Sequence, residues 1–447
     1  MSYFEEREHL LLGTQFDEMY KATANIFRGI TLNTLRCSHE KLMNAKMPIE
    51  PSAFCDNAYV LQDTEYKIGK HPYYHAGAYY IQEPSAASAA PLLGVEQGDF
   101  VLDTCAAPGG KTSQLACALG GTGILIANEY KYDRACVLAS NLERMGTVNT
   151  VVTCASTDKL ALSLPSFFDK ILVDAPCSGE GMFRKEPKAL SQHSKALVEQ
   201  CAHLGAEILD NAAVCLAPGG TILYSTCTFS PDEDEGQIGA FLQRHSDFEL
   251  VSTNAAFGCA GEQNRTLGYK YDASLTRRIY PCHNGEGHFI AKLVHKGYKP
   301  THNITSYKAK APDKAVSDFI LQYFPTLANG NYTTVNGKIL LLPAVPLPSL
   351  THLQAIALGV NVGTLTNGRF IPSHSLFMAF GQDCINKELL TLSDARTAAW
   401  LHGEEIDAHT AKNGYCAVLI DDMPLGFGKV SCGKCKNHYP KGLRNLK

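Results

Sequence analysis

The central part of the chain alternates short apolar runs with longer amphipathic stretches. The amphipathic stretches have helix-like spacing, the longest covers 190–217, and the connections between runs are short. This alternation predicts a mainly parallel, doubly wound α/β sheet, with GHFIAKLV as its last strand. The apolar runs of strand length are FVLDT (100–104), GILIAN (123–128), NTVVTC (149–154), DKILVD (169–174), TILYSTC (221–227) and GHFIAKLV (287–294).

The flanking regions have less regular patterns. The first seventy or so residues mix helical patterns with the strand-like segment 28–38, and a Lys-, Thr- and Pro-rich linker is predicted near 295–312. The final segment contains the strand-like runs CAVLI and LGFGKV, separated by glycine turns. A chain of 447 residues exceeds one ordinary core. We predict four domains, with the ranges 1–75, 76–297, 298–365 and 366–447.

Composition narrows the class of protein. The chain is 45% hydrophobic with a net charge of −4, and no apolar run approaches the roughly 18–20 residues that span a bilayer. The N-terminal segment is acidic before its short apolar patch, the reverse of a signal peptide. Its 16 cysteines are scattered, and the lone CxxC, Cys432 to Cys435, is a weak zinc signal. We expect a cytoplasmic protein without a membrane or metal site, and nothing demands more than a monomer.

Positive charge is concentrated at the C-terminal end. The segment 423–447 contains no acidic residue. A local basic surface on a mildly acidic body indicates contact with a polyanion, although a solvated basic tail is the alternative. The six cations of this segment are Lys429, Lys434, Lys436, Lys441, Arg444 and Lys447.

A glycine turn follows the first strand of the central region, in DTCAAPGGKT (103–112). Pro108-Gly109-Gly110 permits a tight turn and leaves room for a ligand against the backbone. The next helix is predicted to begin at about Lys111, with its free N–H groups facing that ligand. The turn has neither GxxxxGK[ST] nor GxGxxG spacing. Glu129 closes the following strand, where an acidic residue usually binds ribose hydroxyls. Together these features predict a nucleoside-bearing cofactor.

Two cysteines, Cys177 and Cys227, follow strands that we expect to be neighbours. Parallel strands end at one edge of a sheet, so both thiols should emerge where α/β proteins bind ligands. A helix N-terminus lowers a thiol pKa, and Ser230 or Asp232 could cap a helix after Cys227. Either cysteine alone is compatible with a small buried residue. A matched pair beside the strand-end Asp174 indicates chemistry.

Cytosine methylation at carbon 5 needs this set of groups. A thiolate that adds to C6 turns the ring into an enamine-like nucleophile, so that one difficult step becomes two easier ones. The C5 proton must then leave before the thiol is expelled. A carboxyl group such as Asp174 can hydrogen-bond N3 and the amino group of the base, and it is equally placed to contact a cofactor. A second thiol can act as acid or base, or help to expel the product.

The chain resembles the RsmF-like (Fmu/Sun-type) bacterial RNA cytosine-5 methyltransferases. The resemblance implies a Rossmann-like, S-adenosylmethionine-dependent methyltransferase domain at 76–297, after an N-terminal RNA-binding extension. A small α/β, ferredoxin-like module at 298–365 and a PUA-like RNA-binding domain at 366–447 would follow. The segments that carry the resemblance are YYIQEPSA, DTCAAPGGKT, DAPCSGEGMFRK, LAPGGTILYSTCTFSPDEDE and GEGHFIAKL, within about 79–294, and the tail GKVSCGKCKNHYPKGLRN.

The resemblance also implies roles for individual residues. Cys227 would be the nucleophile, Cys177 would assist product release, and Asp174 would lie between cofactor and base. The family expects an acidic residue after the third strand, near the adenine; here Ser156 stands there, with Asp158 two residues later, and the contact stays open between them. The expected cofactor contacts are Cys105, Ala106, Ala107, Pro108, Gly109, Gly110, Lys111, Glu129, Ser156 and Asp174.

We therefore expect an enzyme that methylates carbon 5 of cytosine in RNA, with 16S rRNA, naked or within the 30S subunit, as substrate. The target base must leave its stack to reach Cys227. Arg28 and Arg36, with the basic C-terminal region, would hold the RNA. A tRNA substrate and a catalytically silent RNA-binding assembly factor are the alternatives. A DNA methyltransferase would take its nucleophile from the Pro-Cys segment and would not need Cys227.

Overall fold

The computed structural model describes most of the chain, and 13 residues of the predicted linker, 299–311, lie outside the described parts. Within those parts, no helix combines the length and apolar character needed to cross a membrane. The described ranges are 2–20, 26–63, 65–298, 312–350 and 352–444.

The N-terminal region forms a small antiparallel sheet with the strand order β2-β3-β1-β4. Its first helix has a capping box, in which the Ser2 hydroxyl accepts from the Glu5 N–H and the Glu5 carboxylate accepts from the Ser2 N–H. The elements are α1 (Tyr3–Leu12), α2 (Gln15–Tyr20), β1 (Gly29–Leu32), α3 (His39–Asn44), β2 (Ile49–Pro51), β3 (Ala58–Leu61), α4 (Pro72–His75) and β4 (Tyr79–Ile81).

The central region contains every strand that the sequence predicted there. Its helices are α5 (Ala89–Leu93), α6 (Gly110–Leu119), α7 (Tyr132–Met145), α8 (Thr157–Ser163), α9 (Pro187–Gln192), α10 (Lys195–Cys215) and α11 (Glu235–Arg244). Its strands are β5 (Phe100–Asp103), β6 (Ile124–Asn128), β7 (Thr150–Cys154), β8 (Phe168–Asp174), β9 (Leu216–Thr226), β10 (Phe248–Val251), β11 (Cys259–Ala260), β12 (Arg277–Ile279) and β13 (His288–His295).

The central sheet confirms the predicted doubly wound α/β fold. Five strands are parallel, in the order β7-β6-β5-β8-β9, and β13 and β12 continue the sheet antiparallel from β9. Both faces are buried: Ile171 packs on one face with Leu209 of α10, and Leu172 packs on the other with Leu115 of α6. Strands buried on both faces explain the continuous apolar runs in the sequence.

The segment after the linker forms a second antiparallel sheet, in the order β14-β15-β17-β18. The predicted domain division at 365/366 falls inside one of its strands. The elements are α12 (Lys314–Tyr323), β14 (Tyr332–Val335), β15 (Lys338–Leu341), β16 (Gln354–Leu358), β17 (Val360–Thr366), β18 (Arg369–Pro372) and α13 (His374–Phe380).

One strand of this segment, β16, joins the central sheet instead. It pairs antiparallel with β7, with Gln354 opposite Cys154 and Leu358 opposite Val151. The prediction that 287–294 is the last strand of the central sheet is therefore wrong. Without β16, β7 would leave its backbone N–H and C=O groups unpaired at the edge. The five-residue run QAIAL is too short to indicate on its own which sheet it joins.

The last domain is a five-stranded sheet in the order β19-β21-β22-β23-β20, in which only β19 and β21 are parallel. Its buried centre includes Trp400 and Val418, which belong to the same core cluster as Ile30 and Tyr79 of the N-terminal sheet. The two ends of the chain thus share a core. The elements are β19 (Lys387–Leu390), α14 (Ala395–His402), β20 (Ile406–Asp407), β21 (Gly414–Ile420), β22 (Met423–Ser431) and β23 (Lys434–Asn437).

A buried ion pair joins β12 to the start of α11. The Arg278 guanidinium, fully buried, donates from Nε to Glu235 Oε1 at 2.7 Å and lies 3.0 Å from Asp234 Oδ2. It also donates to the Phe229 carbonyl at 3.3 Å. Because a buried carboxylate that loses its partner stays desolvated, this pair is a point where the fold is sensitive to substitution.

Substituting this arginine tests the fold. We expect Arg278→Met to lower the free energy of unfolding by about 3–5 kcal/mol, because the buried Glu235 carboxylate loses its cation. Arg244→Met is the matched control, since Arg244 pairs with Asp210 at a half-exposed site where such pairs contribute about 0–1 kcal/mol. Thermal and urea unfolding would measure both variants. Equal shifts in the two proteins would contradict the argument.

Candidate functional site

The two predicted thiols meet at the carboxyl edge of the central sheet. Cys227 follows β9 directly and Cys177 lies three residues beyond β8; their Sγ atoms are 3.2 Å apart. The Cys227 N–H also points to Cys177 Sγ at 3.4 Å. The hydrogen bond with Cys227, together with burial, raises the pKa of Cys177 well above its usual value. Cys177 therefore keeps its proton beside Cys227, which suits it to donate to an anionic neighbour.

Hydrogen bonds connect the two loops that carry the thiols. The Gly181 N–H donates to the Cys227 carbonyl at 2.9 Å. Ser178 donates to the Glu233 carboxylate twice, from its N–H at 2.8 Å and from its hydroxyl at 2.6 Å. Burial raises the pKa of Glu233 to about 8. The distance between the thiols is thus set by a network of loop contacts and not by the strands alone.

The helix expected after Cys227 begins later than predicted. It starts at Glu235, and neither Ser230 nor Asp232 caps it. The chain first makes a turn in which the Thr226 hydroxyl donates to Asp234 Oδ1 at 2.6 Å. The expectation that a helix N-terminus activates the Cys227 thiol is therefore wrong.

Asp174 ends β8 beside the thiols and forms an ion pair with Lys111. The Lys111 Nζ lies 2.8 Å from Asp174 Oδ1, which also accepts from the Ser225 hydroxyl at 2.7 Å. Burial acts to raise the Asp174 pKa, but the Lys111 charge and these hydrogen bonds hold it below its usual value. Asp174 is therefore ionised. Burial acts to lower the Lys111 pKa, but the charge and hydrogen bond of Asp174, together with Cys227 and Asp103, raise it above its usual value, so Lys111 stays protonated.

The glycine turn needs its glycines. Gly109 has φ of 117°, a conformation that side chains rarely adopt, and it stands at the N-terminus of α6. A Cβ on Gly110 would meet the side chains of Gln82 and Tyr80 at 3.1 and 3.2 Å. Both side chains belong to the segment YYIQEPSA, so this segment packs against the turn.

Carbonyl groups of the turn are held by side chains. The Ala107 carbonyl accepts from Arg134 at 2.8 Å, and the Pro108 carbonyl accepts from Tyr80 at 3.0 Å and from Asn141 at 2.9 Å. Because the first N–H groups of a helix lack partners within the helix, the start of α6 offers donors to a ligand.

Sequence reasoning missed Asn128, which aligns three strand ends. Its buried amide donates to the Thr104 carbonyl at 3.1 Å and to the Ala155 carbonyl at 3.0 Å, and it accepts from Thr153 at 2.9 Å. These bonds connect the ends of β5, β6 and β7. The only signal was a polar residue closing the apolar run GILIAN.

Glu129 lies directly after β6, as predicted. Its side chain is almost fully buried, accepts from the Lys131 N–H at 2.9 Å, and lies 3.5 Å from Arg134 Nε. Ser156 immediately precedes α8, and its hydroxyl hydrogen-bonds the exposed Asp158, lowering the Asp158 pKa. Both residues therefore stand together after β7, so the adenine contact stays open between them.

Asp103 lies beside the turn and has a carboxyl oxygen that is open to a ligand donor. Its Oδ2 accepts from Thr112 at 2.7 Å, but its buried Oδ1 has no hydrogen-bond partner among the described residues. Burial raises the Asp103 pKa to about 7. A ligand ammonium group would satisfy that oxygen and favour the ionised form. With Glu129 for ribose hydroxyls, the residues present fit a positively charged nucleoside cofactor.

His288 is a further residue that sequence reasoning missed. Phe289 pairs with Thr226 across β13 and β9, which puts His288 level with Cys227. It is buried, and neither ring nitrogen has a partner within the described ranges. Burial, with the nearby Lys111 charge, lowers its pKa to about 3, so it is neutral. The polar residue at the start of the apolar run GHFIAKLV was the available signal.

Sequence models of one protein family match nearly every part of the chain. The model described as 16S rRNA methyltransferase RsmB/F matches residues 90–294. The N-terminal domain of 16S rRNA methyltransferase RsmF matches 2–84, the RsmF rRNA methyltransferase first C-terminal domain matches 318–380, and the methyltransferase RsmF PUA domain matches 387–445.

Two curated relatives cover almost the whole chain, and both are called ribosomal RNA small subunit methyltransferase F. The Klebsiella pneumoniae protein is 28% identical over 96% of this chain and 92% of its own length. The Salmonella arizonae protein is 29% identical over 98% of this chain and 94% of its own length.

Two solved structures share the fold. A methyltransferase homolog from Pyrococcus horikoshii is 27% identical over 66% of this chain and all of its own, with a TM-score of 0.56. NSun6 from Pyrococcus horikoshii, solved with SFG, is 21% identical over 67% of this chain and 99% of its own, with a TM-score of 0.57. The four family models follow one another along the chain with short gaps, and this protein is a member of the RsmF family of 16S rRNA methyltransferases.

Proposed function

We propose that the protein methylates carbon 5 of cytosine in RNA, with S-adenosylmethionine as methyl donor and 16S rRNA as substrate. The observation that carries the proposal is the Cys177–Cys227 pair, whose sulfurs are 3.2 Å apart. A methyl transfer to a nitrogen or oxygen needs no thiol, whereas carbon 5 needs a covalent nucleophile at C6. Membership in the RsmF family supports the substrate.

The side chains have distinct roles in this reaction. The Cys227 thiolate adds to C6, forming the S–C6 bond and moving electron density to C5. The ionised Asp174 accepts a hydrogen bond from the 4-amino group, and Lys111 offsets the negative charge that develops on the ring. After methylation, water takes up the C5 proton, the C5–H electron pair re-forms the C5–C6 double bond, and the S–C6 bond breaks with its electron pair returning to Cys227. Cys177, in hydrogen-bond contact with that sulfur, assists product release.

The cofactor would lie along the strand ends on the other side of Asp174. S-adenosylmethionine supplies the methyl group when bound. Glu129 would hold the ribose hydroxyls and Asp103 the amino group, because its buried Oδ1 needs a donor. Ser156 or Asp158 would meet the adenine. The turn from Cys105 to Lys111 would supply backbone contacts.

The last domain provides a basic face for RNA. Lys429 and Lys436 are paired across β22 and β23 and are exposed, and the Lys429 Nζ lies 5.2 Å from the centre of the Tyr415 ring. Cations beside an aromatic ring suit phosphates and unstacked bases. We propose this face, within the PUA-like range 366–447, as an RNA contact. Lys447 lies outside the described residues.

In the N-terminal extension, proposed as 1–75, the two arginines expected to hold RNA have different surroundings. The Arg36 guanidinium donates to the Ala76 carbonyl at 2.9 Å and to the Met378 carbonyl, which ties this region to α13. Arg36 is thus engaged in holding domains together. Arg28 lines a surface cavity with Gln82 and Lys185, beside the turn, and is the better placed of the two for RNA.

The decisive assay supplies tritiated S-adenosylmethionine with naked rRNA, 30S subunits or tRNA, each from cells that lack the gene. We expect label in 5-methylcytidine from rRNA or 30S subunits. Label only in tRNA would keep the chemistry and overturn the substrate. No label anywhere, with no S-adenosylmethionine binding by calorimetry, would favour the RNA-binding assembly factor.

Replacing the nucleophile should stop turnover. We expect Cys227→Ser to lose all measurable methylation while its melting temperature stays close to that of the wild type, because a hydroxyl is a far poorer nucleophile than a thiolate. Cys201→Ser on α10, also half-buried, is the control and should remain active. Turnover in Cys227→Ser near the wild-type rate would refute the assignment.

Replacing the second thiol should trap the intermediate. We expect Cys177→Ser to accumulate a covalent protein–RNA adduct, since product release loses its thiol. The adduct would appear on denaturing gels as a slow-migrating, nuclease-sensitive band that requires S-adenosylmethionine. The double variant Cys177→Ser/Cys227→Ser should give no band. If Cys177→Ser alone also gives none, Cys177 has another role.

A further inference from the structure

The first helix packs against both cysteine loops. Phe4 of α1 meets Phe183, in the loop after Cys177, with ring centres 5.4 Å apart, and Phe229, two residues after Cys227, at 6.1 Å. These rings form one buried aromatic cluster with Phe16. A helix far away in the sequence thus packs against both loops that carry the thiols.

Arg7 of the same helix reaches the first cysteine loop with two hydrogen bonds. Its Nη1 lies 2.9 Å from Glu180 Oε1 and its Nη2 lies 2.7 Å from Glu180 Oε2. The Glu180 side chain is 0% exposed and the Arg7 side chain 11%. This bidentate geometry is the one that arginine forms best with a carboxylate.

Glu180 also accepts a hydrogen bond from the second cysteine loop, so it connects Arg7 to both loops. Its Oε2 accepts from the Phe229 N–H at 3.0 Å, and its Oε1 accepts from His193 at 2.9 Å. Glu180 lies three residues after Cys177, and Phe229 two residues after Cys227. Despite burial, His193 and Arg7 hold the Glu180 pKa at about 2, so the carboxylate is ionised whenever the fold is intact.

We propose that Arg7 is a positioning residue for methyl transfer: through Glu180 it fixes the two cysteine loops so that Cys177 and Cys227 stay in contact. This inference rests on the proposed function. Without Arg7, Glu180 loses its main cation, and a buried carboxylate must then protonate, admit water or move. Each response weakens its bond to the Phe229 N–H, which lies beside the nucleophile.

The effect should appear in the chemical step. We expect Arg7→Met to lower kcat about 10- to 100-fold, the range that a misplacement of reacting groups produces, while KM for RNA changes less than about twofold. Arg7→Lys keeps the charge but not the paired donors and should recover part of the rate.

Arg396→Met is the matched control. Arg396 pairs with the fully buried Glu388 at 2.6 Å, and its side chain is 17% exposed, so the variant removes a similarly buried arginine–carboxylate contact in the last domain. Its kcat should stay at the wild-type value. Equal loss of kcat in both variants would reduce Arg7 to a structural role, and a raised KM with unchanged kcat would make it an RNA contact instead.

A second readout does not depend on methylation. Diamide removes two electrons and two protons from neighbouring thiols, and peptide mass spectrometry would follow formation of the Cys177–Cys227 disulfide. We expect the crosslink to form about tenfold more slowly in Arg7→Met than in Arg396→Met, and equal rates would overturn the positioning role. If the wild type methylates no RNA, the proposed function fails, while the crosslink rates still decide the role of Arg7.

Discussion

The parallel pairing of β8 with β9 is the constraint on which the site depends. Its register sets Asp174 level with Ser225, so the two cysteines that follow these strands leave the sheet at the same height. The antiparallel register of β9 with β13 then places His288 opposite Cys227. Side chains on one face of neighbouring strands share a direction, which explains why Asp174 and Ser225 can bond directly. A shift of this register by one residue would turn the side chains of one strand towards the opposite face of the sheet.

Several charges in and around the site are buried or partly buried, and they are held in ion pairs. Lys111 with Asp174 and Arg278 with Glu235 are ion pairs in which each partner stabilises the other. Asp103 differs from these pairs, because one of its oxygens is buried without a donor among the described residues. An isolated buried acceptor is costly for a protein. A ligand donor that completes this bond would remove the cost, so the open Asp103 oxygen indicates what kind of group binds there.

The periodicity of the sequence predicted the central strands because strands buried on both faces carry continuous apolar runs. Motif spacing likewise placed the glycine turn, Glu129 and both thiols at strand ends. It did not find β16, since a five-residue strand that covers an edge has no periodic signature. It placed the helix after Cys227 too early, because the chain makes a turn before the helix begins at Glu235, and this turn includes the contact of Thr226 with Asp234, eight residues later. Asn128 and Glu180 act through partners distant in sequence, and His288 reaches the site only through the pairing of β13 with β9, so a local pattern contains none of these relations.

The core shared by the two ends of the chain has a consequence for how the protein is made. Ile30 and Tyr79 pack in one cluster with Trp400 and Val418, so the N-terminal sheet completes its apolar packing only when the last domain exists. During translation, part of the core of the N-terminal sheet therefore stays exposed while the ribosome synthesises the catalytic domain. Long-range contacts of this kind slow folding and extend the time at risk of aggregation. The N-terminal sheet of the newborn chain is fully packed only after Trp400 and Val418 have been synthesised.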